Sequence, residues 1–302
     1  VSMAATFDLA MEADCFEDLL PPEWKAVVHG WLREDTPAFD VGGFVVGNKP
    51  EVAHLYAKSP GMLCGVPFVN AVFEACGCEV EWLASEGSMI DLSGEKKLHV
   101  ATVRGPARKL LLGERTALNT LSRASGVATR AATAVRNARA AGWMGAVAGT
   151  RKTTPGFRLV EKYALLVAGA DTHRYDLSHM VMLKDNHIWS AGSITHAVAK
   201  ARRAAGFSTK IEVEAGTLEE GLEAAAAGAD IVMLDNFEPA ALKVAAAQLK
   251  RAHPHVLIEA SGGITVENLT EFASADVDII SKSYHQGYDV LDFSLKIMPG
   301  AK

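Results

Sequence analysis

Five side chains that can bind an anion lie close to the ends of short apolar stretches. They are Arg151, Lys152, His173, Arg174 and Lys184. The guanidinium group of arginine offers two coplanar donors that fit a carboxylate, and the compact charge of a lysine ammonium suits a phosphate. Because like charges repel unless an anion lies among them, the set predicts a pocket for a small, multiply charged anion. The alternative is surface pairing with acidic neighbours, of which the sequence offers few here.

Two carboxylates, Glu214 and Asp235, also end consecutive apolar stretches. Carboxylates in such a place can bind ribose hydroxyls or a Mg²⁺ ion that accompanies a diphosphate. They can also stabilise the positive charge that develops on a sugar carbon when a glycosidic bond breaks. Charge balance for the neighbouring cations is the plainer alternative, and both interpretations can hold together.

A glycine pair follows a later apolar stretch, in the segment Ser261-Gly262-Gly263. Glycine leaves backbone N–H groups accessible, and a helix that begins just after such a turn adds further N–H donors for a phosphate. Late loops of (β/α) barrels often serve this purpose. A tight turn that needs positive φ is the alternative. Its place in the series of strands makes a phosphate site the favoured interpretation.

The elements that carry these side chains alternate regularly after Gly142. Apolar runs predict six strands, at 146–149, 180–183, 210–213, 231–234, 256–260 and 277–280, with helices at 157–168, 194–205, 218–227, 239–250 and 266–273 between them. Alternating βα units build a parallel sheet. Each run ends in polar residues, and a barrel draws its site from many strand ends whereas a doubly wound sheet concentrates it at one point. The pattern therefore favours a barrel that need not be complete.

The part of the chain before this series mixes the two kinds of element. Strands are predicted at 52–58, 79–83 and 97–103 and helices after Pro22 and at 66–75, which together read as α+β. A helical pattern fills 106–141 and is expected to break near Gly113 or Gly126.

Composition and charge exclude several functions. The 302 residues are 49% hydrophobic and carry a net charge of −6, but the stretch 104–184 holds 14 basic and only 4 acidic side chains. A basic block inside an acidic chain is unlike the broad basic surface of a nucleic-acid-binding protein. No run is long enough for a membrane span, and the start lacks the features of a signal peptide. Cys15, Cys64, Cys76 and Cys78 lack the spacing of a metal site, so we expect reduced thiols and a cytoplasmic protein.

Several blocks of the sequence resemble the quinolinate phosphoribosyltransferase family, which serves NAD synthesis. The blocks run from Ala148 to Gly156, from Thr172 to Leu177, from Met182 to His187 and from Glu259 to Ile264. Shorter ones lie at 112–119, 212–214 and 233–236, and the likeness extends over nearly the whole chain. The form of the block His173-Arg174-Tyr175-Asp176-Leu177 is similar to that of the eukaryotic branch.

The resemblance implies a fold and a set of domains. The expected fold is α/β, an incomplete (β/α) barrel of about six to seven strands preceded by an α+β open-sandwich domain. The open-sandwich domain would cover 1–125 and be completed by 289–302 with a strand at 291–297, and the barrel would cover 126–288. The implied active unit is a homodimer, with a hexamer of three dimers as a larger alternative, and no nucleic acid or membrane takes part.

The resemblance also implies a reaction and roles for particular residues. The 5-phosphoribosyl group of 5-phosphoribosyl 1-diphosphate would pass to quinolinate with loss of CO₂, giving nicotinate mononucleotide. Lys152, Glu214 and Asp235 would be catalytic, and Glu214 and Asp235 would hold Mg²⁺ through the substrate. The implied substrate-binding residues are Arg115 from a neighbouring subunit, Arg151, Lys152, Thr153, His173, Arg174, Lys184, Glu214, Asp235, Ser261, Gly262, Gly263 and His285.

One block departs from the family pattern. Family members usually end the last barrel strand with S-x-G-x-L-T-H, whereas this chain has Ser283 in place of the glycine and His285 two positions early. Three rival functions stay open from the sequence. They are a phosphoribosyltransferase for plain nicotinate, a barrel lyase that uses Lys184 as a Schiff-base nucleophile, and a non-catalytic sensor of a phosphorylated metabolite.

Overall fold

The computed structural model describes residues 16–284 and 290–298, which form two compact units. The first, here the sheet unit, holds the described residues of 16–132, 154–169 and 290–298; the second, the barrel unit, holds 133–153 and 170–284. The domains predicted from the resemblance differ from these units at two places: the division lies after residue 132 rather than 125, and 154–169 belongs to the sheet unit. Aromatic contacts explain the second difference, since Phe157 packs on Trp31 and Tyr163 packs edge-on against Phe68.

An antiparallel sheet of four strands forms the centre of the sheet unit. In chain order the strands of this unit are β1 (Pro50–Ala57), β2 (Gly61–Met62), β3 (Glu79–Trp82), β4 (Met89–Ile90), β5 (Leu98–Pro106) and, after the barrel unit, β12 (Phe293–Ile297). The order across the sheet is β12-β1-β5-β3, and β2 pairs separately with β4. Leu55 pairs with Leu295 of β12, so the C-terminal segment forms an edge strand of this sheet.

Five helices belong wholly or partly to the sheet unit. They are α1 (Trp24–Asp35), α2 (Val41–Val46), α3 (Val66–Cys76), α4 (Ala107–Ala140) and α5 (Arg158–Val167), and α4 continues beyond residue 132 into the barrel unit. The predicted break in α4 is wrong, because the helix is continuous. Gly113 explains why: a Cβ there would lie 3.1 Å from the ring of Phe73, so the glycine permits close packing on α3 and does not end the helix.

Six parallel strands form the barrel unit, all of them predicted from the sequence. They are β6 (Ala146–Ala148), β7 (Val181–Leu183), β8 (Ile211–Ala215), β9 (Ile231–Asp235), β10 (Leu257–Ser261) and β11 (Ile279–Ser281), in the order β6-β11-β10-β9-β8-β7. Asp171 adds a parallel bridge to Ala148 on the open side of β6. The unit is thus an incomplete barrel of six strands with the beginning of a seventh.

Helices connect the barrel strands. They are α6 (Asp185–Ala191), α7 (Ile194–Ala205), α8 (Leu218–Ala226), α9 (Pro239–Ala252) and α10 (Leu269–Phe272). Side chains alternate across each strand, and Val232 faces Gly221 of α8 and Leu249 of α9. The opposite face of β8, β9 and β10 therefore looks into the barrel, and this face carries the acidic residues Glu212, Glu214, Asp235 and Glu259.

No described helix has both the length and the apolar character of a membrane span.

Candidate active site

Four charged side chains meet at the carboxyl ends of the barrel strands, and we name them the rim cluster: Lys152, Lys184, Glu214 and Asp235. Lys184 follows β7 directly, and its ammonium donates to the carboxylate of Glu214 near the end of β8. Burial and then the negative charge of Glu214 raise the pKa of Asp235, while Lys184 and Lys152 oppose the shift. The charges of the four residues influence one another. Lys152 is exposed, and Lys184, Glu214 and Asp235 are partly exposed. A charged ligand can therefore reach them.

A second group of charged and polar side chains lies deeper in the barrel, and we name it the inner cluster: His173, Arg174, Glu212 and Glu259. Glu212 and Glu259 are 0% exposed, and the His173 side chain is 8% exposed. His173 Nε2 lies 3.1 Å from Glu259 Oε2 and 3.7 Å from Glu212 Oε2. Burial and the adjacent Glu259 carboxyl raise the pKa of Glu212 well above its usual range. The environment therefore favours the protonated form of Glu212.

Arg174 belongs to the inner cluster and is also influenced by the charge of Arg151. Its guanidinium is half-buried, and burial together with the nearby charge of Arg151 lowers its pKa, against the opposing effect of Glu212. Within the described residues, the hydrogen-bond partners of the guanidinium nitrogens are weak ones, the Met180 carbonyl at 3.4 Å and the Met182 sulfur at 3.5 Å. Two arginines close enough for their charges to interact are suited to a ligand with two carboxylates.

The turn that holds Arg151, Lys152 and Thr153 is tied to the last barrel strand. Thr150 Oγ1 lies 2.8 Å from Ser283 Oγ, and the Lys152 N–H donates to Thr150 Oγ1 at 3.1 Å. Arg151 and Lys152 are exposed. Ser283, the residue that replaces the family glycine, thus takes part in holding the turn.

The glycine turn after β10 has the left-handed backbone that a phosphate loop needs. Gly262 has φ +86° and Gly263 φ +65°, and a Cβ at residue 262 would lie 2.6 Å from the backbone nitrogen of Asn236. The prediction that a helix begins at Val266 is wrong: α10 begins at Leu269, because Thr265 and Asn268 form a local turn in which the Thr265 N–H donates to Asn268 Oδ1 at 2.7 Å. The donors for a phosphate at this turn are therefore backbone groups of the loop itself.

The structure brings most of the predicted site residues together in the barrel unit. Those from β6, β7, β8, β9 and β10, with their following turns, lie at the carboxyl ends of neighbouring parallel strands. Arg115 is an exposed residue of α4 and belongs to the sheet unit. His285 falls outside the described residues.

Sequence reasoning assigned no role to Glu212, Glu259, Ser281 or Asn236. Ser281 Oγ donates to Glu259 Oε1 at 2.5 Å, and Asn236 Nδ2 donates to Asp235 Oδ2 at 2.5 Å from a backbone with φ +59°. A signal for the two glutamates was present: each is a charged residue in the middle of an apolar strand, where an unpaired charge is costly.

Comparisons with known proteins identify the family of this chain. The family profile described as "Quinolinate phosphoribosyl transferase, C-terminal domain" matches residues 127–296, and that of the N-terminal domain matches 39–125. Nicotinate-nucleotide pyrophosphorylase [carboxylating] of Rattus norvegicus is 54% identical over 289 residues, 95% of each chain. The protein of that name from Homo sapiens is 53% identical and covers 95% of this chain and 96% of its own.

Solved structures give the same result for the fold. The nicotinate-nucleotide pyrophosphorylase from Francisella tularensis superposes with a TM-score of 0.81 at 31% identity, covering 95% of this chain and 97% of that one. The protein of that name from Ehrlichia chaffeensis gives 0.84 at 26% identity, covering 92% and 100%. With both domain profiles matched and more than half of the residues shared with the mammalian relatives over nearly the full length, this chain belongs to the quinolinate phosphoribosyl transferase family.

Proposed function

We propose that this chain transfers the 5-phosphoribosyl group of 5-phosphoribosyl 1-diphosphate to the ring nitrogen of quinolinate, releasing diphosphate, and that the product loses CO₂ to give nicotinate mononucleotide. One observation carries the proposal. Two lysines and two carboxylates meet at the rim of the barrel, next to two arginines whose charges influence each other. The rim cluster suits a phosphorylated sugar, and the arginine pair suits a planar dicarboxylate.

The rim cluster acts on the sugar. Glu214 and Asp235 face the position where positive charge develops on the ribose carbon as the bond to diphosphate breaks, and fixed negative charges stabilise such a transition state. Lys152 and Lys184 neutralise phosphate oxygens, and the backbone N–H groups at Ser261, Gly262 and Gly263 bind the 5′-phosphate. The Lys184–Glu214 ion pair holds both charged groups in place before the substrate arrives.

The donor set at the rim also fits Mg²⁺. This ion prefers oxygen ligands and is usually bound by one or two carboxylates together with substrate phosphates. Glu214 and Asp235 would supply those carboxylates, and the ion would neutralise the charge of the leaving diphosphate. The Lys184–Glu214 pair leaves Asp235 as the carboxylate with no lysine partner within ion-pair distance in the described residues.

Arg151 and Arg174 orient the two carboxylates of quinolinate. After the ring nitrogen has been ribosylated, the pyridinium ring withdraws the electron pair that the departing CO₂ leaves at C2. A poorly solvated surrounding for that carboxylate speeds its loss. The half-buried position of Arg174 supports such a surrounding, since burial is the main cause of its lowered pKa. Thr153 lies on the same turn as Arg151 and is assigned to substrate binding on that basis.

The test of this proposal compares two acids. Purified protein with 5-phosphoribosyl 1-diphosphate and Mg²⁺ should form nicotinate mononucleotide from quinolinate and show far less turnover with nicotinate, because nicotinate leaves one arginine without a carboxylate. Equal or better use of nicotinate would favour the first rival. Covalent trapping of a substrate at Lys184 by borohydride would favour a lyase. Binding without diphosphate release would favour a sensor.

A homodimer is part of the proposal, with a hexamer of three dimers as the larger form. Residues 39–46 expose a contiguous apolar surface in which Phe39 is 95% and Phe44 85% exposed, and such patches are typical of protein interfaces. Arg115 is exposed in the sheet unit and is assigned to the site of the partner subunit. A cytoplasmic location is supported by Cys64, Cys76 and Cys78, which are free and buried.

Subunit complementation tests the shared site. Arg115→Ala and Arg151→Ala should each have little activity alone when quinolinate is kept well below their raised KM. In a mixed dimer, one site contains both substituted residues and the other contains neither. Activity should therefore return in up to about a quarter of all sites after random exchange of subunits. Mixed dimers proven by mass spectrometry but inactive would show that Arg115 serves its own subunit or has a structural role.

A further inference from the structure

Both ring nitrogens of His173 already have partners within the barrel unit. The Arg174 backbone N–H donates to Nδ1 at 2.8 Å, and Nε2 lies 3.1 and 3.3 Å from the two oxygens of Glu259. A backbone N–H can only donate, so Nδ1 must be the unprotonated nitrogen. The proton of a neutral imidazole is then on Nε2 and points to the Glu259 carboxylate. The geometry fixes the tautomer of His173 and leaves neither nitrogen for a substrate.

The backbone at His173 is held in an unusual conformation by the same contacts. His173 has φ +56°, which is uncommon for a residue with a side chain. Its own N–H donates to Asp171 Oδ1 at 2.6 Å, and the following N–H donates to its ring. Residues 173 and 174 are thus fixed by hydrogen bonds, and the direction in which the Arg174 side chain leaves the backbone is fixed with them.

Glu259 is itself firmly anchored. It lies in the middle of β10 at 0% exposure, and Ser281 of the adjacent strand β11 donates to its Oε1 at 2.5 Å. Ser281 is 2% exposed. The carboxylate thus accepts a hydrogen bond from the sheet on one side and one from His173 on the other. Through these hydrogen bonds Glu259 connects strands β10 and β11 to the loop that carries Arg174.

We propose that Glu259 is a positioning residue for quinolinate: acting through the Nε2–H tautomer of His173, it fixes the backbone from which Arg174 reaches the substrate, and His173 itself gives no ring nitrogen to the ligand. The substrate part of this inference rests on the proposed function. It changes the role that the resemblance implies for His173 from direct binding to support of Arg174. Glu259 touches no substrate in this scheme, so its loss should alter affinity more than the rate of the chemical step.

The first experiment needs no substrate. Nitrogen-15 NMR of the histidine rings in the folded dimer should show His173 with a protonated Nε2 and an unprotonated Nδ1. In Glu259→Gln the side chain has one accepting oxygen in place of two, so the hydrogen bonds from Ser281 and His173 should weaken. Hydrogen exchange of the Arg174 amide should then become at least tenfold faster. Glu271→Gln, an exposed carboxylate of the same unit, is the matched control and should change neither signal. The opposite tautomer, or unchanged exchange in Glu259→Gln, would overturn the proposal.

The second experiment compares variants of His173 by titration with quinolinate. Asparagine places an oxygen where Nδ1 stood and tolerates positive φ, whereas glutamine places a donor near the position of Nε2. Each replacement keeps one of the two hydrogen bonds through which Glu259 acts on Arg174 and breaks the other, so both variants should lose about tenfold in quinolinate affinity, the usual effect of a lost hydrogen bond in a buried site. Affinity kept within about threefold by His173→Asn would contradict the proposal, and affinity kept by His173→Gln alone would show direct binding by a donor at the Nε2 position and also contradict it.

Kinetics separates this proposal from a failure of the proposed function. Glu259→Gln should raise the KM for quinolinate about tenfold and leave kcat within about threefold. If that variant does not fold, Ser281→Ala removes the donor to Glu259 with less disturbance and should shift KM in the same direction. A wild-type protein that does not bind quinolinate would refute the proposed function, and the NMR experiment would then still decide the role of Glu259 toward Arg174. A fall in kcat at unchanged KM would contradict positioning.

Discussion

The rim cluster and the inner cluster use similar charged residues in opposite ways. At the rim, Lys184 and Glu214 pair at partly exposed positions, and the neighbouring Asp235 is only half-buried. In the interior, Glu212 and Glu259 are fully buried: Glu259 accepts hydrogen bonds from His173 and Ser281, and burial with the adjacent Glu259 carboxyl raises the pKa of Glu212. Charges at the rim can respond to a ligand at little cost, whereas buried charges are costly unless they are satisfied by fixed partners. The two proposals accordingly assign the chemistry to charges at the rim and the positioning of the substrate to charges in the interior.

Removing charge at the rim should have the largest effect. Asp235→Asn and Glu214→Gln keep shape and lose charge, so kcat should fall by about 100-fold or more, as it does when one group that stabilises transition-state charge is removed. The Kd for quinolinate should change by less than about threefold. Steady-state kinetics with calorimetry distinguishes the two effects. A raised KM with unchanged kcat would make these carboxylates binding groups and remove the distinction between the clusters.

Removing an arginine should affect one substrate only. Arg174→Ala or Arg151→Ala should weaken quinolinate binding by about 10- to 100-fold, the range for hydrogen bonds to charged groups, and leave binding of 5-phosphoribosyl 1-diphosphate nearly unchanged. Lysine should not restore affinity at either position, because it lacks the planar pair of donors. Calorimetry that finds equal losses for both ligands would argue against the assignment of the arginines to the dicarboxylate.

The inner cluster should reveal itself in the pH dependence of stability. Burial and Glu259 raise the pKa of Glu212 in the folded state, so the folded protein binds a proton that the unfolded chain releases above the ordinary carboxyl pKa. The contribution of Glu212 to stability is therefore complete below that ordinary pKa and is lost as the pH rises through the folded-state value. Glu212→Gln removes this pH-dependent loss of stability. The thermal midpoint of the variant, measured relative to that of the wild type, should therefore rise between pH 5 and pH 8. A difference in midpoint that stays constant with pH would mean that Glu212 is ionised in the folded protein.

The smallest effect is expected where the chain departs from its family. Ser283→Gly removes the hydrogen bond to Thr150, which contributes about 0.5–1.5 kcal/mol. The KM for one or both substrates should rise no more than about tenfold, with kcat preserved, because only the turn that carries Arg151 and Lys152 loosens. Thr150→Val removes the same bond and also the one that Thr150 Oγ1 accepts from the Lys152 N–H, so its KM should rise at least as much. A clearly larger rise for Ser283→Gly than for Thr150→Val would show that Ser283 has a function of its own.

The sequence predicted the barrel strands and the rim cluster well, since both follow local rules. Apolar runs of strand length bounded by polar residues indicate β-strands, and the carboxyl ends of parallel strands must meet at one edge, so Lys184, Glu214 and Asp235 could be placed together. The inner cluster could not be found in this way. Its contacts join residues far apart in the chain, such as His173 and Glu259, and depend on which face of each strand looks inward.

Two helix predictions failed for reasons that lie outside the local pattern. Gly113 suggested a break in α4, but the residue is required by the ring of Phe73, which approaches from another helix. Val266 suggested a helix start, but the side chains of Thr265 and Asn268 hold a turn instead. In both cases a tertiary or side-chain contact overrides the preference of the sequence.

Single-turnover release of CO₂ from quinolinate, at saturating concentrations of both substrates, tests the division of roles most directly, because saturation removes differences in affinity. The wild type should release CO₂ only when 5-phosphoribosyl 1-diphosphate is present. Glu259→Gln should reach within about threefold of the wild-type rate, and Asp235→Asn should stay about 100-fold slower. A rate for Glu259→Gln as low as that of Asp235→Asn, or recovery of Asp235→Asn at saturation, would contradict the assignment of chemistry to the rim and positioning to the interior.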